Sequence, residues 1–350
     1  MKSKIHEKQS PSYNDEKRES RMTRIKDMIV VTGGAGFIGS AIIWGLNRRG
    51  RSDILVIDMN ADTEGYENLR SLNFAKYLDK KNFLDKLGEK KFSNEINGII
   101  HMGACSDTTE KDEIFLMKNN YEYTKRLASW ASTNDKRFLY ASSAATYGMG
   151  ENGFSDDHLK LKRLKPVNLY GKSKHRFDLW ALEKGYLRSI AGLKYFNVFG
   201  PNEYHKGDMR SMVLKSFEQI QETGKVKLFK SNNPDYGDGE QVRDFIYVKD
   251  VVKMTLFIYD NLEVNGIINI GTGIARSFND LVKAVFDSMD KKPGIEYIDM
   301  PGKLNQQYQS YTRADIAKLK ALGYAEHIST LEEGIEDYLK NYLLKDNSYL

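Results

Sequence analysis

The segment from Met28 to Asp58 constrains this chain more than any other. Met28-Ile-Val-Val31 is a short β-branched run suited to a buried parallel strand. Gly34-Ala-Gly36-Phe-Ile-Gly39 follows at once, and Phe37 to Asn47 then carries helical apolar spacing. Gly33, Gly36 and Gly39 also satisfy G-x-x-G-x-x-G. Ile54-Leu-Val-Ile57 is the next strand, closed by Asp58, 19 residues after Gly39. A strand, a glycine turn opening a helix and an acid at the next strand end together make a dinucleotide-binding unit. The glycines let the backbone approach a pyrophosphate, and the helix N-terminus offers free N–H groups and a partial positive charge. A purely structural glycine turn is the alternative, and the strand, helix and acid around it argue for binding. Asp58 is expected to accept a hydrogen bond from the adenosine ribose, which favours an unphosphorylated 2′-hydroxyl and so NAD.

Gly98 to His101, Phe138 to Ala141 and Gly192 to Phe196 read as further strands, with helical segments between them. This alternation predicts right-handed crossovers and a parallel sheet covered on both faces. After Asn197 the texture changes: Gly200-Pro201-Asn202 breaks the alternation and Ser231 to Gln241 is polar and turn-rich. Arg243 to Asp250 is expected to open an amphipathic helix, and Gly266 to Ile270 to return as a strand. Capping boxes are read at Ser277 with Asp280, Thr312 with Asp315, and Thr330 with Glu333. The fold class is therefore α/β: a Rossmann-like doubly wound parallel sheet with a smaller interleaved C-terminal α/β substrate lobe. The boundaries expected are a leader over 1–24, an NAD(P)-binding domain over 25–196 plus about 245–270, and a lobe over about 197–244 plus 271–350.

The net charge of +5 suggests nucleic acid until it is located. Residues 1–24 carry seven Lys or Arg and four Asp or Glu, so most of the surplus sits in a polar leader. That leader lacks the apolar core of a secretory signal and contains the acids that transit peptides avoid, so a disordered extension is expected. No basic stripe points to nucleic acid, and no stretch approaches the ~20 apolar residues of a membrane span. The single cysteine, Cys105, fits a reducing, cytoplasmic setting. No metal site is read.

Tyr170-Gly-Lys-Ser-Lys174 places a phenol and an ammonium on one helix face. A tyrosine acting as a base near neutral pH needs its pKa lowered by about 3 units, in the direction a nearby Lys⁺ and an oxidised nicotinamide both act. Alone, the pattern is common surface decoration. Tyr140-Ala-Ser-Ser143-Ala-Ala-Thr-Tyr-Gly148 changes its meaning, because it puts Ser143 at the C-terminal end of a strand, 27 residues before Tyr170. A hydroxyl there faces the crevice where an open sheet binds ligands, and it can stabilise a developing alkoxide.

With these motifs in this order, the chain resembles the extended short-chain dehydrogenase/reductase superfamily from about Met28 onward. Within it the resemblance narrows to the ADP-L-glycero-D-manno-heptose 6-epimerase family. It is carried by His101-Met-Gly-Ala-Cys-Ser-Asp-Thr-Thr-Glu110, Met117-Lys-Asn-Asn-Tyr121, Tyr140 to Gly148, and Lys194-Tyr-Phe-Asn-Val-Phe-Gly-Pro201, where Lys194 stands for a family arginine. His205-Lys-Gly207, Arg243-Asp-Phe245 and Pro301 through Tyr308 add to it.

The resemblance implies Ser143, Tyr170 and Lys174 as the catalytic triad and Lys206 as a second acid/base. It implies cofactor contacts from Gly33, Gly36, Phe37, Ile38, Gly39, Asp58, Met59, Lys80, Met102, Gly103, Ala104, Cys105, Ser106, Asn119, Lys174, Val198 and Lys206. It implies substrate contacts from Ser143, Asn197, Asp208, Lys215, Phe229, Lys230, Ser231, Asn232, Arg243 and Tyr308. His101, Cys105 and Tyr147 are read as packing around the cofactor, and His205 as a turn residue. The family implies NADP, a homo-oligomer (a pentamer) and an ADP-heptose substrate of lipopolysaccharide core synthesis. Inversion at C6″ would pass through transient oxidation to an aldehyde, because that carbon has no adjacent carbonyl to acidify its C–H.

Several positions depart from the family pattern. Met59 and Gly65 stand where polar or basic groups are usual, leaving Lys80 as the cation matched to a 2′-phosphate, so NADP and NAD both stay open. Asp208 replaces a serine, Lys215 replaces a histidine, and the loop after Phe229 is longer. Rival readings are another nucleotide-sugar epimerase, a dehydratase or reductase, or a non-catalytic dinucleotide sensor. Ala144-Ala145 after Ser143 lacks the Asp-Glu of sugar 4,6-dehydratases, and the intact Ser, Tyr and Lys argue against a sensor.

Overall fold

A computed structural model describes residues 27–59, 64–302 and 308–350. The leader and part of the segment from Pro301 to Tyr308 fall outside the described residues. The principal strands are β1 (Met28–Thr32), β2 (Ile54–Asp58), β3 (Lys76–Asp79), β4 (Ile96–His101), β5 (Arg137–Ser143), β6 (Ala191–Tyr195), β7 (Asn197–Phe199), β8 (Val226–Phe229), β9 (Val242–Arg243), β10 (Phe245–Tyr247), β11 (Gly266–Ile270), β12 (Arg276–Ser277) and β13 (Ile295–Ile298). Seven of them form one sheet in the order β11-β6-β5-β4-β1-β2-β3, and every pairing in it is parallel.

Strands covered on both faces lose the in–out alternation and become continuous apolar runs, as Ile29 to Val31 and Ile54 to Ile57 do, all fully buried. β3 is the strand the sequence hides. Its Lys-Tyr-Leu-Asp is half-exposed at the sheet edge, where a polar strand protects against further pairing. Helix α1 (Phe37–Arg48) packs against α4 (Val248–Asp260) on one face of the sheet. The fit is close at Gly45, where a Cβ would lie 2.3 Å from a Val252 methyl. On the other face α2 (Tyr123–Thr133) and α3 (Leu169–Glu183) cover Phe138, Tyr140 and Ile99. The strand order reverses between β1 and β4, so the carboxyl ends there open a crevice, the standard ligand position in such sheets.

The rest of the C-terminal half is built from short pairings: β10 with β7, β13 with β8, and β12 with β9. The expected helix from Arg243 starts only at Val248. Phe245 to Tyr247 are instead taken up as a buried strand in register with Asn197 to Phe199. Ser277 with Asp280 and Thr330 with Glu333 form the capping boxes read from the sequence. Thr312 with Asp315 does not, because the Thr312 hydroxyl is already engaged by the Asp244 amide and the Asn197 side chain. The short helix there begins at Ala317, whose amide Asp315 accepts. Buried Asp244 accepts hydrogen bonds from Thr272, Gly273 and Ala314, stapling these segments to the end of β11.

Candidate active site

The glycine turn is shaped by contacts that exclude side chains. Gly33 has φ +66°, and a Cβ on it would come within 2.6 Å of the Gly103 nitrogen. A Cβ on Gly39 would lie 2.0 Å from the Gly33 carbonyl oxygen, which already accepts the Gly36 amide. Gly36 is the N-cap of α1 and supplies no side-chain cap, so the first-turn amides of Phe37, Ile38 and Gly39 stay available to an anion. Asp58 closes β2 with its carboxylate accepting the amides of Ala35 and Met59 at 2.9 and 2.8 Å. Burial raises its pKa, while those bonds, His205 and Lys80 pull it back. Each carboxylate oxygen keeps a second lone pair for a ribose hydroxyl. An uncapped helix start beside such an acid fits a dinucleotide pyrophosphate and ribose.

Lys80 begins the helix after β3, its ammonium 2.8 Å from the Asn119 side-chain oxygen and 4.2 Å from the centre of the Tyr123 ring. Burial lowers its pKa, and Asp58 opposes that. Met59 is exposed, its carbonyl accepting the Tyr77 hydroxyl. Met102 and Gly103 are fixed by their amides to Thr32. His101 lies buried between Thr32 and Thr124 and is held neutral by burial. Ala104 is half-buried and Ser106 exposed on the same loop.

Sequence reasoning passed over the residue that fixes this loop. Met117–Glu122 forms a π-turn ahead of α2. Asn119 points from it to Lys80, whereas Asn120 is buried and aimed the other way. Asn120 accepts the Cys105 amide at 2.9 Å and donates to the Cys105 carbonyl at 3.0 Å and to Ser173 Oγ at 3.0 Å. Ser173 in turn donates to the Tyr170 carbonyl. One side chain thus joins the loop after β4 to the helix carrying Tyr170. A polar Asn on the buried face of an otherwise amphipathic helix was the available signal. Asn68 was also missed; it donates to the Ala35 and Asn202 carbonyls and ties the glycine turn to the segment after β7.

Ser143, at the end of β5, lies beside Tyr170 in the first turn of α3, whose N-cap is Asn168. Burial raises the Tyr170 phenol above its usual range and the neighbouring Ser143 hydroxyl opposes it. The expected lowering by Lys174 is not found in the polypeptide itself. The Lys174 ammonium instead donates to the Ala141 carbonyl at 2.8 Å, and burial brings its pKa down to about 8. The half-buried Cys105 thiol completes this cluster, its pKa raised by burial.

Lys206 rides a turn, Tyr204–Met209, anchored by the buried Glu203 carboxylate, which accepts from Gly200 and Ser211. Its ammonium reaches the Phe37 ring, and burial lowers its pKa while Glu203 opposes. His205 lies against Asn68. Asp208 is exposed, its carbonyl accepting Lys215 Nζ. Arg243 is buried, its guanidinium over the rings of Tyr308 at 5.1 Å and Phe278 at 5.5 Å, with Phe229 edge-on to Tyr308. Asn197 donates to Thr312 and the Asp244 carbonyl, and Val198 beside it is half-buried. Ser231 is bonded within its own loop, Asn232 is exposed there, and Lys230 pairs with Asp299 at the surface. Most of these residues fall into three groups, around the glycine turn and Asp58, around Ser143, Tyr170 and Lys174, and around Arg243, Tyr308 and Phe229; Asp208, Lys215, Lys230, Ser231 and Asn232 join none of them.

Residues 29–271 match the NAD dependent epimerase/dehydratase family, whose cofactor is a nicotinamide dinucleotide. ADP-L-glycero-D-manno-heptose-6-epimerase of Nitratidesulfovibrio vulgaris is 49% identical over 323 residues, covering 92% of this chain and 100% of that protein. The enzyme of the same name from Fusobacterium nucleatum is 48% identical over 332 residues, with the same coverage. The crystal structure of Helicobacter pylori ADP-L-glycero-D-manno-heptose-6-epimerase superimposes with a TM-score of 0.75 at 28% identity, covering 91% of this chain and 97% of that one. The chain belongs to the NAD dependent epimerase/dehydratase family and, within it, to the ADP-L-glycero-D-manno-heptose-6-epimerases, which are isomerases.

Proposed function

We propose that the chain converts ADP-D-glycero-D-manno-heptose to ADP-L-glycero-D-manno-heptose by oxidising and re-reducing C6″ without net redox change. The observation that carries this reading is the placement of Tyr170, in the first turn of α3, beside Ser143 at the carboxyl end of β5, with Lys174 one turn further along the same helix. Gly33, Gly36 and Gly39, the first turn of α1 and Asp58 would hold the dinucleotide, with the loop from Met102 to Ser106 over it. When bound, it supplies the reversible hydride acceptor that an unactivated carbinol needs. Tyr170 takes the hydroxyl proton while Ser143 steadies the developing charge by hydrogen bonding. Lys174, cationic at pH 7, is held to the Ala141 carbonyl at the end of β5 one helical turn beyond Tyr170.

Carbon C6″ lies between C5″ and C7″, so its oxidised form is a ketone; the aldehyde expected from the family resemblance is corrected on that ground. Rotation about C5″–C6″ turns its other face for reduction. Lys206 serves as the second proton donor, and Arg243, Tyr308 and Phe229 receive the nucleotide part. We place the dinucleotide on the seven-stranded sheet and the sugar nucleotide in the short-stranded lobe. The cofactor form we propose is NADP, with Lys80 facing the 2′-phosphate and NAD competing for the same ribose site. The setting is cytoplasmic heptose synthesis for lipopolysaccharide core, by a homo-oligomer. Among the described residues no helix is long and apolar enough to cross a membrane.

Incubation with ADP-D-glycero-D-manno-heptose, followed by proton NMR, tests the reaction, and mass spectrometry of the retained cofactor tests its form. Wild type should give the L-glycero epimer with no added NAD(P)H, and Tyr170→Phe should lose about 10²–10⁴-fold of the rate. Near-normal epimerisation by Tyr170→Phe would remove the assignment.

A further inference from the structure

Lys194 on β6 and Asp178 on α3 are both fully buried, with Nζ 2.7 Å from Oδ2. Asp178 also accepts Ser142 Oγ at 2.8 Å and the Tyr140 hydroxyl at 2.9 Å. Tyr140 and Ser142 are two apart on β5 and so point to the same face, toward α3. Lys194 donates a second bond to Thr146 Oγ1, and that hydroxyl donates to the Ser143 carbonyl. Its ammonium lies 5.1 Å from the centre of the Tyr147 ring. Along α3, Asp178 follows Lys174 by four residues and Tyr170 by eight, so the three share one helix face.

Three successive β5 residues therefore meet that face. The Ala141 carbonyl accepts Lys174, Ser142 bonds Asp178, and Ser143 lies beside Tyr170. Lys194 touches this seam from the neighbouring strand at both Asp178 and the turn after Ser143. A buried ion pair adds little net stability over apolar packing, because desolvation offsets the attraction. What it adds is direction, and removal of either partner leaves a lone buried charge.

We propose that Lys194 and Asp178 are positioning residues for the reaction centre: the pair locks the Tyr170 helix onto the end of β5 and cancels a carboxylate lying beneath Tyr170 and Lys174. The inference rests on the reading of Tyr170 as the proton-transfer group. The groups facing Tyr170 are Ser143 from β5, Cys105 from the loop after β4, and Lys174 and Asp178 from its own helix. Those around Asp178 are Tyr140 and Ser142 from β5, Lys194 from β6, Lys174 and His175 from its own helix, and His158 from the turn before it. Asp178 acts to raise both Tyr170 and Lys174, and Lys194 is the buried cation bonded to it.

The two single variants must therefore shift Tyr170 in opposite directions. The phenol is isolated by ultraviolet difference titration of the holoenzyme, each background being compared with the same background carrying Tyr170→Phe. This readout needs no substrate. Lys194→Met should move the Tyr170 titration up by about one pH unit, and Asp178→Asn should move it down by a similar amount. Lys194→Arg keeps the charge and should leave it in place, and Asp178→Asn with Lys194→Met should restore it. The acid limb of the kcat/KM profile for epimerisation should follow the same order. Unmoved titrations in folded single variants would overturn the proposal and leave the pair as packing alone. If Lys194→Met does not fold, Asp178→Asn decides: a downward shift supports the proposal and an unmoved titration overturns it. A wild type that fails to epimerise the heptose, with titrations shifting as stated, would remove the functional reading and leave the pair standing.

Discussion

The ammonium of Lys206 lies 5.4 Å from the centre of the Phe37 ring, so the turn after β7 reaches the first turn of the helix that follows the glycine turn. A lysine there is positioned by a buried glutamate behind it and an aromatic face before it. Its lowered pKa makes proton donation easier than from a solvated lysine. If Lys206 is the second acid/base, Lys206→Met should keep its dinucleotide and lose about 10²-fold or more in kcat. Proton NMR of the epimerisation measures the rate. An unchanged kcat would make Lys206 a packing partner of Phe37 and nothing more.

Gly36 and Gly39 look equivalent in the glycine fingerprint, and the structure separates them. An alanine Cβ at Gly39 would sit 2.0 Å from the Gly33 carbonyl oxygen, whereas at Gly36 the same oxygen would be 3.2 Å away. Backbone cannot swing aside as a side chain can, so Gly39→Ala forces apart the turn and the helix start. We expect Gly39→Ala to destabilise the protein by about 2–3 kcal/mol in chemical denaturation and to be purified with little dinucleotide. Gly36→Ala should cost less than about 1 kcal/mol in stability. Equal losses in the two variants would contradict this reading of the cradle.

Much of this was legible in the chain itself, for identifiable reasons. Continuous β-branched runs such as Ile54 to Ile57 can only be buried strands, and the spacing from Gly33 to Asp58 belongs to one local unit. Ser143 and Tyr170 lie in separate local motifs whose order along the chain carries the information. Features that depend on distant partners were hidden. Lys76 to Asp79 has no apolar run, and its strand exists because β2 offers an edge. Thr312 has the residues of a capping box, yet its hydroxyl is claimed by Asp244 and Asn197, far away in sequence. Arg243 to Tyr247 became strand because β7 and β12 pair with them. The Lys174 ammonium was expected to address Tyr170 through helical spacing, and the nearest carbonyl, that of Ala141, took its hydrogen bond.

Asn120 offers a test of how the loop after β4 is held. Its amide satisfies both backbone groups of Cys105, and truncation would leave that pair without the partner they have in the folded chain. Asn120→Ala should lower stability by about 2–4 kcal/mol, from buried groups left unpaired. Asn120→Asp keeps the acceptor and loses both donors, so it should be no better. Dinucleotide retention, measured by absorbance after gel filtration, should fall in both variants. Retention equal to wild type would mean that the loop from Met102 to Ser106 is fixed by Thr32 alone.

Lys174 gives the chain a pH signature of known sign. Burial lowers its pKa to about 8 from 10.5. Below pH 8 the lysine is protonated in both folded and unfolded states, and the cost of burying its charge is present in full. Between pH 8 and 10.5 the unfolded chain holds a proton that the folded chain releases, so this residue's contribution to stability rises with pH. The rise amounts to about 3 kcal/mol at most once both states are neutral. Lys174→Met lacks the titration altogether. Urea unfolding of both proteins from about pH 7 to about pH 10 should therefore show wild type gaining on the variant as pH increases. A constant difference across that range would mean that the Lys174 ammonium is as well solvated folded as unfolded, and its bond to the Ala141 carbonyl could not then hold it in the dry interior beside Tyr170.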